Sequence, residues 1–344
     1  MKENRIGYYF IVAASVVVVL AGLKSAAEIV VPILLSLFLA IVLSPLYNFF
    51  NKKKVPNGIS LSLVIGLFLL ALFLVAKLVG SSAQDFSANI DFYAKQLSVY
   101  YLSITQFANT IGIEIAVDDL STLINSKQAM GFASSLLKSM GSMFSNGFVI
   151  LLTVIFMMLE SQHFVEKISF ASRDNDTLEH IVKISSQIKE YMVLKALISL
   201  LTGFIIWVAL MIIGTDYAFL WAVLAFMLNF IPNIGSIIAA VPVVLLTLVQ
   251  LGSLSAVAVS ILYVVVNVVI GSIVEPKVMG KGLGLSTLVV FVSLIFWGWL
   301  LGIVGMLLSI PLTIMVKIIL DANKNTKWIA VLLGTGEYIP AVNK

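Results

Sequence analysis

The chain is a succession of long apolar stretches separated by short polar breaks. About 20 mostly apolar residues, at ~1.5 Å rise each, cross a bilayer core. That length marks spans at 6–23, 29–50, 59–80, 144–159, 191–213 and 254–274. Two further runs, 218–249 with 32 residues and 285–320 with 36, are too long for one span and short for two. Helix is the expected form throughout, because in lipid every backbone N–H and C=O must bond within its own segment.

The two long runs carry internal breaks. The first is interrupted by Asn229-Phe230-Ile231-Pro232-Asn233-Ile234-Gly235. Proline lacks an amide donor and disfavours helix at the residue before it, and glycine permits a sharp turn. The chain is therefore predicted to double back there as a hairpin of half-helices. The second run is predicted to break at Phe296-Trp297-Gly298-Trp299.

Between the third and fourth spans, Phe86, Ile90, Tyr93, Leu97, Tyr100 and Tyr101 recur at three- and four-residue spacing. This predicts an amphipathic helix, expected to pack on the membrane surface or on a neighbouring subunit. A similar stripe, Ile181, Ile184, Ile188 and Met192, precedes the fifth span. It reads either as an interfacial helix feeding directly into that span or as ordinary cytoplasmic packing.

Charge orients these elements. Lys2, Arg5 and Lys52 to Lys54 place the N-terminus and the second loop in the cytoplasm. The acidic segment 81–146 then lies outside, and the linker with Lys167, Arg173, Lys183 and Lys189 lies inside, as does the tail. Lys277 and Lys281 put the end of the seventh segment inside. By parity the first hairpin opens outside and the second opens inside, the pattern of a secondary transporter with a midplane site. The predicted organisation is three helices in 1–80, an extracytoplasmic helical segment in 81–146, a fourth span and amphipathic linker in 147–190, a transport core in 191–320 and a cytoplasmic tail in 321–344.

Composition agrees: 60% of the residues are hydrophobic and 11% charged, against about 25% charged in soluble domains. A polar shell cannot be built from so few charges. The net charge of +4 then reflects cytoplasmic loops rather than a nucleic-acid partner. With no cysteine, disulfides, thiolate metal sites and cysteine nucleophiles are excluded. His163 and His180 lie apart in a polar linker, so no metal or other cofactor is expected. The run after Lys2 and Arg5 is too long for a signal peptide and is followed directly by another span.

Candidate chemistry is sparse. Gly280-Lys281-Gly282-Leu283-Gly284 lacks the phosphate-loop pattern and reads as a hinge. H-E-x-x-H and G-x-S-x-G are absent, so an enzyme is not expected. Lys77 and Lys195 stand near helix ends, where each is expected to snorkel. Glu275, before Pro276 and Lys277, is the one plausible coupling carboxylate, with an interface cap or ion pair as the alternative. The remaining membrane polar groups are neutral: Asn229, Asn233, Ser236, Asn267, Ser272, Ser293 and Thr313. Such groups suit a polar uncharged or weakly anionic solute, although each also serves as helix glue. Trp297 and Trp299 read as interface anchors or as cavity lining, and Gly298, Gly302 and Gly305 allow close helix contact.

The first break, Glu275-Pro276-Lys277-Val278-Met279-Gly280, Leu283 to Phe291 and Leu294 to Gly302 together resemble the autoinducer-2 exporter (AI-2E) family. The resemblance covers nearly the whole chain. It implies export of a small polyhydroxylated signal across the bacterial inner membrane without ATP, from a homo-pentamer, and some relatives are described as sodium/proton antiporters. The expected fold is an all-α polytopic membrane protein with about eight transmembrane segments, including two opposed hairpins. Asn229, Pro232, Asn233, Gly235, Ser236, Asn267, Trp297, Gly298 and Trp299 are the expected solute contacts, with Glu275, Pro276 and Lys277 gating or coupling. A sodium/proton antiporter coupled through Glu275, and a non-transporting scaffold held by segment 81–146, are the alternatives.

Overall fold

A computed structural model describes residues 3–110, 131, 134–135, 147–171, 175–232, 234–279, 284–321 and 325–335. Among these the protein is helical, without strands, as an apolar chain in lipid requires. Five helices are long and apolar enough to cross a membrane: Ala27–Lys52, Asn57–Ala88, Ser186–Ile213, Ser253–Met279 and Thr287–Leu307. Shorter apolar helices accompany them at Phe10–Ser25, Gly147–Glu160, Ala218–Leu228 and Gly235–Leu251. The protein is an all-α polytopic membrane protein. The chain divides into two compact units, one of residues 1–61, 148–193 and 281–344 and the other of 62–147 and 194–280.

In the first unit, α1 (Glu3–Ser25) and α2 (Ala27–Lys52) are joined by a single residue, and α5 (Gly147–Ala171) packs on α2. α2 buries a stripe of Pro32, Ser36, Ala40 and Tyr47, of which Ser36 stands at this contact. Small residues let backbones approach where lipid provides no hydrophobic drive between helices. Ser36 Oγ donates to the Pro32 carbonyl at 2.7 Å and lies 3.1 Å from the Ile150 carbonyl of α5. Val154 and Met158 continue the buried face of α5.

The same unit contains the second hairpin, α11 (Thr287–Leu307) and α12 (Ser309–Asp321), followed by α13 (Lys327–Leu332). The sequence predicts its break at residues 296–299. The helix instead runs through those residues and turns at Gly302, whose φ of 67° and ψ of −150° are not helical. The reason is steric: this backbone state is open to glycine and strained for other residues, and Trp297 and Trp299 have no such freedom. Past the turn, Gly305 lies so near Trp297 that a Cβ on it would stand 2.0 Å from the Trp297 carbonyl oxygen. Eight residues of straight helix would separate the two by about 12 Å, so the chain has reversed.

In the second unit, α3 (Asn57–Ala88) is about 48 Å long at ~1.5 Å per residue, well beyond a bilayer core. Leu63, Leu67, Leu70, Phe73 and Leu74 are exposed along it, as lipid-facing positions are, while Val64 is buried. The long helix α6 (Asn175–Ile213), whose residues up to 193 belong to the first unit, joins the predicted linker stripe and the fifth span without interruption. On it Ile188, Tyr191 and Met192 are buried, whereas the side chains of Ile181 and Ile184 lie outside the described residues.

The first hairpin is α7 (Ala218–Leu228) and α8 (Gly235–Leu251). With 11 residues, α7 is about 16 Å long and cannot cross a bilayer. The two ends of the hairpin lie side by side. Thr215 and Thr247 hydroxyls are 3.2 Å apart, Gln250 Oε1 accepts from the Asp216 amide at 2.8 Å, and Gln250 Nε2 donates to the Gly214 carbonyl at 3.1 Å. The chain therefore enters and leaves on one side, as predicted for half-helices.

The amphipathic helix α4 (Ile90–Thr110) corrects another expectation. Its stripe does not wait for a membrane surface or a neighbouring subunit, because it packs on the mouth of the first hairpin. Phe86 stacks on Tyr93 at 5.8 Å and meets Trp221 edge-on at 5.3 Å, while the Tyr93 and Tyr217 hydroxyls are 3.5 Å apart. Burial, together with that hydroxyl contact, pushes Tyr93 above the usual phenol range.

Candidate functional site

The tip of the first hairpin is built by local backbone chemistry. Beyond α7, the Phe230 and Ile231 amides bond the carbonyls of Met227 and Leu228, three residues back, tightening the last turn. Pro232 donates nothing, and the Ile234 amide reaches its carbonyl at 2.6 Å. The reversal brings Gly235 against α7, where a Cβ would stand 1.8 Å from the Leu228 carbonyl oxygen. Only glycine closes this turn. Phe230 and Ile231 are buried, so the tip is packed rather than open.

Asn229, at the tip, donates from Nδ2 to Ser199 Oγ on α6 at 3.0 Å. One helical turn before Ser199 on the same face is Lys195. Its ammonium lies 2.7 and 2.8 Å from the two carboxylate oxygens of Glu275. The Lys195 side chain is 5% exposed and that of Glu275 22%. The expectation that Lys195 snorkels is therefore wrong. An ammonium drawn away to water would leave the Glu275 carboxylate without its counter-charge, and an unpaired charge in apolar surroundings is costly. Glu275 is thus an ion-pair partner, the alternative set beside its coupling role.

The backbone explains how Glu275 arrives there. After α9 (Ser253–Val266) the helix widens into a π-helical segment, Asn267–Val274, before the short α10 (Glu275–Met279). A proline ring clashes with the carbonyl four residues before it, and Pro276 would meet Ser272 in that way. Opening to the five-residue bond pattern relieves the clash, and the Glu275 amide bonds the Ile270 carbonyl. Asn267 begins this segment and directs Oδ1 toward Gly271, 3.6 Å from where a Cβ would be. Pro276 and Lys277 are exposed.

The other predicted contacts have different surroundings. Ser236 is half-buried in the first turn of α8, and Asn233 and the Gly280–Leu283 part of the predicted hinge lie outside the described residues. In the first unit, Trp297 donates from Nε1 to Thr313 Oγ1 at 2.9 Å, tying one arm of the second hairpin to the other. Gly298 faces Met306 of the returning arm. Trp299 is 54% exposed, with the Lys24 ammonium 4.2 Å above its ring. Among the described residues no three His, Asp or Glu side chains gather as a metal site.

Sequence reasoning passed over Ser199 and misread Lys195. The signal was present, since Lys195 and Glu275 are opposite charges embedded in two apolar helices. Such a pair is expected to meet, and Ser199 and Thr202 follow Lys195 at four- and seven-residue spacing.

The AI-2E family transporter model matches residues 12–325. The chain belongs to the AI-2E transporter family. It is 40% identical over 324 residues to the AI-2 transport protein TqsA of Escherichia coli K12, covering 94% of each chain. It is also 40% identical over 331 residues to a putative transport protein of Haemophilus influenzae (94% of this chain, 95% of the relative). Identity with the putative transport protein YhhT of Escherichia coli K12 is 37% over 326 residues (94% and 93%). An AI-2E family membership, with helices fit to cross a membrane, makes the protein a membrane transporter.

Proposed function

We propose that this AI-2E transporter is a secondary transporter that exports autoinducer-2, or a similar small polar solute, across the bacterial inner membrane. The observation that carries the reading is the full-length similarity to a relative named an AI-2 transport protein. The polar groups support it. Amides and hydroxyls offer hydrogen bonds to a polyhydroxylated solute, and the ammonium of Lys195 already matches the Glu275 carboxylate. In this reading Asn229, Asn233 and Ser236 hold the solute at the first hairpin, with Pro232 and Gly235 shaping the turn. Glu275, Pro276 and Lys277 control access from the cytoplasm. Both termini are cytoplasmic, following the lysine clusters, and the assembly is a homo-pentamer, as the family resemblance implies.

The test is release of autoinducer-2 from proteoliposomes, with and without imposed ion gradients. Release by the wild-type chain, abolished in Asn233→Ala with membrane assembly intact, is the expected outcome. Unchanged release in that variant overturns the site assignment. Sodium/proton exchange without solute flux, lost in Glu275→Gln, replaces this reading with the antiporter. Absence of any flux, with stable capture of partners by segment 81–146, replaces it with the scaffold.

A further inference from the structure

We propose that Lys195 is a tethered cation that fills the position a sodium ion would otherwise take at Glu275, and so sets the ion selectivity of the transporter. The proposal rests on the transporter reading above. It assigns to Lys195 a positioning and selectivity role rather than contact with the solute.

The geometry has three parts. First, the ammonium faces both carboxylate oxygens at once, at 2.7 and 2.8 Å, which leaves neither oxygen without a cation beside it. Second, the pair is fixed from both sides. Lys195 projects from the continuous helix α6, and the π-helical segment before Pro276 sets the rotation of Glu275. Third, the hydroxyl one turn further along α6, Ser199, is engaged by the Asn229 amide of the hairpin tip. Lys189 is part-exposed and Glu190 and Lys277 are exposed, and no ion pair joins any of them to Glu275 among the described residues.

A carboxylate in an apolar helix bundle must be neutralised or paired. Here the neutralising charge is covalently part of the chain and cannot leave with the cargo. The pair carries no net charge, so moving it through a transport cycle moves no ion across the membrane. Removal of the ammonium leaves an unpaired carboxylate, an acceptor-only group of the kind hard cations select.

The experiment measures binding of radioactive sodium to purified protein at alkaline pH, alongside solute flux in sodium or choline buffers. The chains compared are wild type, Glu275→Gln, Lys195→Met, Lys195→Gln and the double variant Lys195→Met with Glu275→Gln. Lys195→Gln keeps one hydrogen bond to the carboxylate and so guards against simple misfolding. The wild-type chain is expected to bind no sodium at this site and to transport equally in both buffers. Both Lys195 variants are expected to bind sodium and to lose flux about tenfold in choline, with sodium restoring it. The double variant is expected to lose sodium binding. Sodium binding by the wild type that Glu275→Gln removes overturns the proposal, as does failure of both Lys195 variants to bind sodium. The binding readout needs no cargo, so loss of solute flux in every chain would count against the transporter reading alone.

Discussion

The two hairpins solve one problem with different residues. Each must send an apolar helix back on itself, and each does so by letting a glycine press against a carbonyl of the opposite arm: Gly235 against Leu228, Gly305 against Trp297. Their tips differ. The first turns through residues 229–234 with a proline and an asparagine whose amide reaches another helix. The second turns at Gly302 alone, and its polar group, the Trp297 indole, bonds its own returning arm. The mouths differ too. The first is held by Gln250 and a threonine pair, the second by Lys317, which donates to the Gly284 carbonyl, and by the Ser286 amide on Leu333. Reversal is thus a steric requirement that both meet with glycine, whereas the first tip offers a third element a hydrogen bond from Asn229 and the second offers the Trp299 ring to Lys24 of α1.

Substitutions can break that comparison. The largest effect is expected at the two close approaches. Gly235→Ala and Gly305→Ala each force a methyl into a backbone oxygen and are expected to cost more than about 3 kcal/mol. Little folded protein should then be recovered from membranes, and normal recovery of either variant would disprove the packing at its hairpin. Next is Glu275→Gln, which leaves the Lys195 ammonium buried without its partner. A loss of about 3–5 kcal/mol is expected in thermal unfolding in detergent, most of it recovered when Lys195→Met is added. At the mouth of the first hairpin, Gln250→Leu removes two hydrogen bonds and is expected to cost about 1–3 kcal/mol. Gly302→Ala is expected to match the Gln250 variant at about 1–3 kcal/mol, because no atom stands within 4 Å of the added methyl but φ of 67° with ψ of −150° is a backbone state essentially confined to glycine. Trp297→Phe, which loses one bond within the second hairpin, is expected to cost about 1 kcal/mol. It should leave solute flux within about twofold if the indole only ties the arms.

Much of this was legible in the chain before any fold was known. Apolar run lengths located the helices, and Pro232 with Gly235 located the first reversal, because both residues act on their own backbone. The second reversal was misplaced by a few residues. Three glycines at 298, 302 and 305 are equally permissive in sequence, and only packing of Met306 and Trp297 across the arms selects Gly302 for the turn. The stripe of α4 was recognised, but its partner was not, since hydrophobic periodicity states that a face is buried and not against what. The Lys195–Glu275 pair needed knowledge that two helices 80 residues apart in sequence meet.

By itself the sequence determined the class: too few charges for a soluble surface, helices by the demand for internal hydrogen bonds, and a broken core of neutral polar groups. Those conclusions follow from properties carried by single residues and short windows. The tertiary structure alone decided which glycine turns, what the amphipathic helix covers and which cation faces Glu275. Each of these is a choice among partners distant in the chain, and it is made by the steric fit and charge pairing that only exist once the helices have met.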